Sequence, residues 1–140
     1  MFLTPEEMST HIYGEITDAI TRDNRNHVVQ AINTAIAEAT GKLQPRYDVA
    51  AIFAATGSAR NPILLSYIKD IAVWHIMALC SVNLEYEFRE TRYKFAKTWL
   101  KEVQNGSDNP GLPEPAPQAD GQKPGTGILF NSNRKRRDSF

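Results

Sequence analysis

At 140 residues the chain has the length of one ordinary domain, by the rule of roughly 100–200 residues per domain. Its 16 Lys plus Arg balance its 16 Asp plus Glu, which argues against a generally basic nucleic-acid coat and against an acidic disordered solvator. One cysteine, Cys80, rules out an intramolecular disulfide scaffold, and three scattered histidines do not make a zinc site of usual spacing.

No apolar run is expected to reach the roughly 18 residues of a membrane span. The first residues, Met1-Phe2-Leu3-Thr4-Pro5-Glu6-Glu7, lack a basic start and an apolar signal core, so a soluble, intracellular chain is the expectation. Five of the eight prolines and five of the eight glycines follow Asn105. That break divides the chain into a helical domain over 1–105 and an arm over 106–140.

In chain order, Thr4-Pro5-Glu6-Glu7 predicts a helix start. Thr4 caps, Pro5 takes the first helical position, Glu7 completes a capping box, and Leu3 with Met8 forms a staple. Gly14 is expected to stop this short helix. A second short helix is expected over 15–21, followed by a polar loop at Arg22-Asp23-Asn24-Arg25. Val28, Val29, Ile32, Ala35, Ile36, Ala39 and Leu43 then mark one apolar stripe at period 3.6, a third helix that Pro45 ends.

Residues 47–59 read as a connection. Within it, Asp48-Val49-Ala50-Ala51-Ile52-Phe53 fits a short strand or one helical turn, and Thr56-Gly57-Ser58 is a turn signal. Asn61-Pro62 starts a fourth helix that runs to about residue 82 and is apolar nearly all round. Lys69 and Asp70 are its only charges. Such a helix is buried by its own domain or by a partner. A neighbouring subunit is the expectation here, with Trp74, Ile76 and Met77 as subunit-packing residues.

The fifth helix, over 84–104, carries Glu85–Arg89 and Glu90–Lys94 as acid-before-base pairs. Its apolar ridges hold Phe88, Phe95, Trp99 and Val103 beside Tyr86, Tyr93, Ala96 and Leu100. Asn105-Gly106 is its stop signal. The fold class that emerges is all-α, a small bundle of four to five helices with an extended Pro/Gly-rich C-terminal arm.

The arm begins as the proline-rich spacer Pro110-Gly111-Leu112-Pro113-Glu114-Pro115-Ala116-Pro117, expected to be extended and semi-rigid. Its far end is apolar and basic. Ile128, Leu129, Phe130, Arg134, Lys135, Arg136, Arg137 and Phe140 are its candidate partner-docking residues. The aromatic neighbours of the basic run favour docking to protein over contact with phosphates.

Catalytic patterns are weak. Ser66-Tyr67-Ile68-Lys69 matches a Ser-x-x-Lys nucleophile pattern but lacks its partner motifs. Asp70 and His75 lie five apart and share a helix face poorly, and Asp70 is expected to pair with Lys69, Arg60 or a backbone group. His11 and His27 read as surface residues and Cys80 as a buried small hydrophobe. Asn105-Gly106-Ser107 is a helix-ending turn. Gly125-Thr126-Gly127 lacks the strand before and the Gly-Lys-Ser/Thr after that a phosphate loop needs. No enzyme activity, cofactor or metal is expected.

Taken in order, four segments carry a resemblance. They are Leu3-Thr4-Pro5-Glu6-Glu7; Ala39-x-x-x-Leu43-x-x-Arg46-Tyr47; Asn61-Pro62-Ile63-Leu64-Leu65 running into Lys69-Asp70-Ile71-Ala72; and Tyr93-x-x-Ala96-x-x-Trp99-Leu100. Together with the Pro/Gly-rich tail closing on arginines and an aromatic, this order resembles the small head–tail adaptor proteins of Mu-like tailed bacteriophages. Residues 47–60 depart from the pattern, being longer and richer in alanine.

The resemblance implies a structural virion protein at the neck, present in the host cytoplasm during assembly. It implies a ring of copies, twelvefold like the portal, docked below the portal and forming the platform for the stopper or tail-completion protein. The genome would pass through its lumen without specific binding, and no membrane is involved. The alternative is a small helical nucleic-acid-binding protein that uses the basic C-terminal tail.

Overall fold

The Thr4 capping box forms as the sequence predicts. The Thr4 N–H and hydroxyl both donate to Glu7 Oε2, at 3.1 and 3.2 Å. Leu3 and Met8 are both buried on either side of the cap. The turn that follows is a 3-10 helix over Pro5–Thr10. The computed structural model describes residues 1–10, 14–80 and 85–117, with side chains omitted at residues 9–24 and 80.

Helix α1 runs unbroken over Gly14–Leu43, 30 residues and about 45 Å at 1.5 Å per residue. Gly14 therefore opens a helix where a stop was expected, and the expected polar loop at 22–25 is helical. That loop was read from polarity alone. Arg22-Asp23-Asn24-Arg25 holds neither glycine nor proline, so nothing in its backbone preference breaks the helix.

Helix α2, Val49–Ala54, resolves the open choice at 48–53 in favour of a helical turn. Asp48 caps it by accepting from the Ala51 N–H at 3.1 Å. A 3-10 turn over Gly57–Ala59 precedes helix α3, Pro62–Cys80. Asn61 caps α3 through Oδ1, which accepts from the Leu64 N–H at 3.0 Å. Helix α4 covers Tyr86–Asn105, entered from Glu85 in the left-handed region (φ 54°). All four α-helices and both 3-10 turns fit the small all-α bundle, and no strand occurs among the described residues.

Helix α3 packs against α1 and α4, and α1 also meets α4. From α1 the core takes Val28, Ile32, Ala35, Ala39 and Leu43, the inner part of the predicted stripe, with Ala31 added. Ala31, Ala35 and Ala39 form a small-residue ridge, which lets a neighbouring helix come close. Helix α3 contributes Leu64, Ile68, Ile71, Ala72, Val73 and Ile76; α4 contributes Ala96, Trp99, Leu100 and Val103. The residues Pro62–Leu79 are long and apolar enough to cross a membrane by length and composition, which corrects the expectation that no run reaches that size. This apolarity has a local cause: of the three long helices, α3 makes the most extensive contact with the other two.

Gly106 (φ 86°) ends α4. Its N–H bonds to the Val103 carbonyl at 3.1 Å, and the Ser107 N–H bonds to the Glu102 carbonyl at 2.9 Å, a Schellman closure. Any Cβ there would sit 3.3 Å from the Arg46 guanidinium.

The next residues do not leave the body. Trp99 Nε1 donates to Asp108 at 2.8 Å, Asn61 Nδ2 to the Pro110 carbonyl at 3.2 Å, and the Asp48 N–H to the Pro113 carbonyl at 2.9 Å. Leu112 is buried. Prolines lack a donor but keep an acceptor, so a proline-rich strand can be strapped down through its carbonyls. The packed body thus extends to residue 113, and the arm proper starts after it.

Leu112→Ala is accordingly expected to lower stability by about 1.5–3 kcal/mol, the value of burying a leucine side chain. Limited proteolysis of the native chain should leave a fragment ending beyond residue 113. Cleavage at 105–110 would show that the strap is not held.

Candidate assembly surface

Helix α4 carries an apolar arc wider than its neighbours cover. Ala96, Trp99, Leu100 and Val103 face the core, while Phe88 and Phe95 line the border of the arc and stay open at 52% and 61% exposure. They lie seven residues apart, two helical turns, so they share one line along the helix. Across from them Ile63, in the first turn of α3, is 52% exposed. Pro62, Ile63, Ser66 and Tyr67 of α3 form an open groove with Arg92 and Phe95 of α4. Tyr67 is backed by Trp99, ring centroids 5.0 Å apart.

Arg92 is held at that groove by a buried acid. Asp70 Oδ2 lies 3.1 Å from an Arg92 terminal nitrogen, and Oδ1 accepts from Nε at 3.3 Å. The Asp70 carboxylate is almost fully buried and Arg92 is partly exposed. A carboxylate removed from water needs a cation, so the pair fixes where the guanidinium sits. Arg92 also lies 5.9 Å from the Phe88 ring, and Arg89 lies 5.1 Å from it. Asp70 thus pairs with Arg92 on the next helix, a partner outside the expected set of Lys69, Arg60 or a backbone group. A pairing between helices has no fixed sequence spacing and leaves no local signal.

A second polar cluster ties the three long helices together. Glu38 of α1 accepts from Lys97 Nζ at 2.6 Å and from the Tyr93 hydroxyl at 3.2 Å, both on α4, while His75 Nε2 of α3 lies against its other oxygen. Burial pushes the Glu38 carboxyl up, but hydrogen bonds from Lys97 and His75 outweigh it and hold the group below its ordinary value. The Glu38 hydrogen bond in turn raises Lys97, and burial raises Tyr93. Glu38→Ala is expected to cost about 1–3 kcal/mol, because three half-buried groups lose their acceptor. Urea unfolding measures this, and a loss under 0.5 kcal/mol would mean that water replaces the carboxylate without penalty.

The residues expected to pack against a second subunit are placed differently. Ile76 and Met77 are buried in the chain's own core. Trp74 is half-buried and stacked on Tyr93, with centroids 5.2 Å apart and planes 12° apart, and it also meets Tyr86. Burial leaves Ile76 and Met77 little surface for a second subunit, while Trp74 stays partly open. On α3 and α4 the exposed large apolar residues include Ile63, Phe88 and Phe95, with Leu79 and Tyr86. Phe88 and Phe95 fall at the edge of the α4 stripe, a signal present in the helical phase, whereas Ile63 shares a line with buried Asp70 and is open because it lies in the first turn of α3.

The docking candidates Ile128, Leu129, Phe130, Arg134, Lys135, Arg136, Arg137 and Phe140 lie outside the described residues, as does His11. Ser66 lines the groove, and Lys69 is buried, which pushes its ammonium down. No group of three His, Cys, Asp or Glu that could hold a metal occurs among the described residues. No protein-family model, curated protein or solved structure matches the chain.

Proposed function

We propose that this chain is a structural building block of a tailed-phage neck. In this reading it is a connector that assembles into a ring below the portal and carries the stopper or tail-completion protein. The observation that carries the reading is the open apolar face of Ile63, Phe88 and Phe95 on a body whose core is already complete. An exposed patch of large apolar side chains beside ordered charges suits protein–protein contact. The ordered motifs that resemble Mu-like adaptors supply the kind of assembly and its portal partner.

The test is imaging of the purified chain alone and mixed with its portal by negative stain. Rings, alone or stacked on portal, are the expected result. Deleting residues 128–140 should leave helicity unchanged by circular dichroism and abolish assembly. A chain that stays monomeric and ignores portal overturns the reading. Binding of a short DNA duplex at about 0.15 M salt, lost on changing Arg134, Arg136 and Arg137 to Ala, would assign it to nucleic acid instead.

A further inference from the structure

We infer that the groove between α3 and α4 is the seat for residues 128–137 of a second copy of this chain, so that each arm clasps the next body. The inference rests on the ring reading above. Three observations carry it: the chemistry of the groove, the register along α4, and the reach of the arm.

The groove offers apolar contact at Ile63 and Phe95. The arm carries its one compact apolar triplet, Ile128-Leu129-Phe130, beyond the proline-rich spacer. Towards its N-terminal end, α4 changes character. There Glu85, which already lies 3.6 Å from Arg89, and Glu87 border a shallow depression with the exposed rings of Tyr86 and Phe88. Acids interleaved with aromatic faces suit arginine, which pairs with carboxylate and stacks on rings. The arm has such residues at Arg134, Arg136 and Arg137.

The spacings agree. From Phe95 to Glu87 along α4 is about 12 Å at 1.5 Å per residue. From Phe130 to Arg134 along an extended strand is about 13–14 Å at 3.3–3.6 Å per residue. An arm that sets Phe130 beside Phe95 and runs towards the start of α4 therefore brings its arginines to Glu85 and Glu87.

The arm also has the reach. It is held to its own body as far as Pro113. Residues 118–127 then span on the order of 30 Å if extended, about the width of a body this size. Arm into groove joins two different surfaces, a head-to-tail contact of the kind that builds a ring when its rotation closes.

Disulfide trapping in the full-length chain, on a Cys80→Ser background, tests the inference. One preparation carries Phe130→Cys; the other carries Ser66→Cys and a tag that changes its size. Mixed under mild oxidation, they should give the mixed-size dimer, and Ala37→Cys on the exposed face of α1 should not. Phe95→Asp should abolish the cross-link and the oligomer seen by light scattering while leaving the melting temperature unchanged. Glu85→Arg with Glu87→Arg should weaken association, and Arg134→Glu, Arg136→Glu and Arg137→Glu in the arm should restore it. Rings without the mixed cross-link overturn the inference and leave the connector reading standing. A cross-link formed only within a monomer carrying both cysteines means that the arm covers its own groove, which also overturns it. A chain that forms neither ring nor cross-link, with or without portal, overturns both readings.

Discussion

Leu100→Ala is expected to lower the unfolding free energy by about 2–5 kcal/mol, while Phe95→Ala, five residues earlier on the same helix, should stay within about 0.5 kcal/mol. Leu100 is 0% exposed where α4 meets the core; Phe95 is 61% exposed. Removing three carbons from Leu100 costs their transfer out of water plus the cavity left behind. Neighbouring Trp99 and Val103 are themselves packed and cannot close over the gap. A domain of this size has only about 5–15 kcal/mol of stability in total, so the loss would be visible in the urea midpoint. Equal effects at the two positions would mean that Phe95 is covered in the isolated chain, and the open face on which the functional reading rests would disappear.

The second large effect is expected at Arg60. Its guanidinium donates to Glu7 Oε1 at 2.7 Å and Oε2 at 3.1 Å, to the Phe2 carbonyl at 2.6 Å and, through Nε, to the Gly57 carbonyl at 2.9 Å. One side chain thus ties the N-terminal turn to the connection before α3. Arg60→Ala should cost about 1.5–3 kcal/mol, the range for hydrogen bonds to a charged group, since the Phe2 carbonyl and Glu7 lose this donor together while Glu7 keeps Thr4.

The same pair sets an acid limit. The hydrogen bond from Arg60 holds the Glu7 carboxyl at about 2, well below its ordinary 4.5. A carboxyl depressed in the folded state contributes stability that is complete above about pH 4.5 and is lost as pH falls towards 2. After allowance for solvent screening, that contribution is about 1–2 kcal/mol. Wild type should therefore lose more stability than Glu7→Gln between pH 5 and pH 2.5. Parallel pH curves for the two would show that the pair contributes nothing to acid sensitivity.

Local chemistry was readable from the sequence and long-range chemistry was not. The Thr4 and Asn61 caps, the Gly106 stop and the stripe from Val28 to Leu43 each depend on residues within a turn or two, and each appears where the spacing put it. The Glu90–Lys94 pair is present at 3.6 Å for the same reason. The misreadings share one cause. Polarity at 22–25 set which surface faces water but not whether the backbone stays helical. Prolines after residue 108 excluded helix but said nothing of carbonyls finding donors on Asn61 and Asp48. The apolar surplus of α3 looked like an interface because its second neighbour, α4, lies later in the chain. Asp70 with Arg92, and Glu38 with His75 and Lys97, join residues on different helices, so only the assembled bundle brings them together.

Asn61 joins two events that the chain order separates. One end of its amide starts α3, and the other holds the strap at Pro110. Tension on the arm would therefore reach the first turn of α3, which carries Pro62 and Ile63 into the groove. A load applied at residue 118 or beyond would first meet the Pro113 and Pro110 carbonyls, then the cap, and only afterwards the buried helices. In mechanical terms the strap is a strain relief, a sacrificial stage that yields before the core does. Amide exchange at Leu64 reads this out: in a Leu112→Ala chain it should quicken more than exchange at Leu100 in the core does.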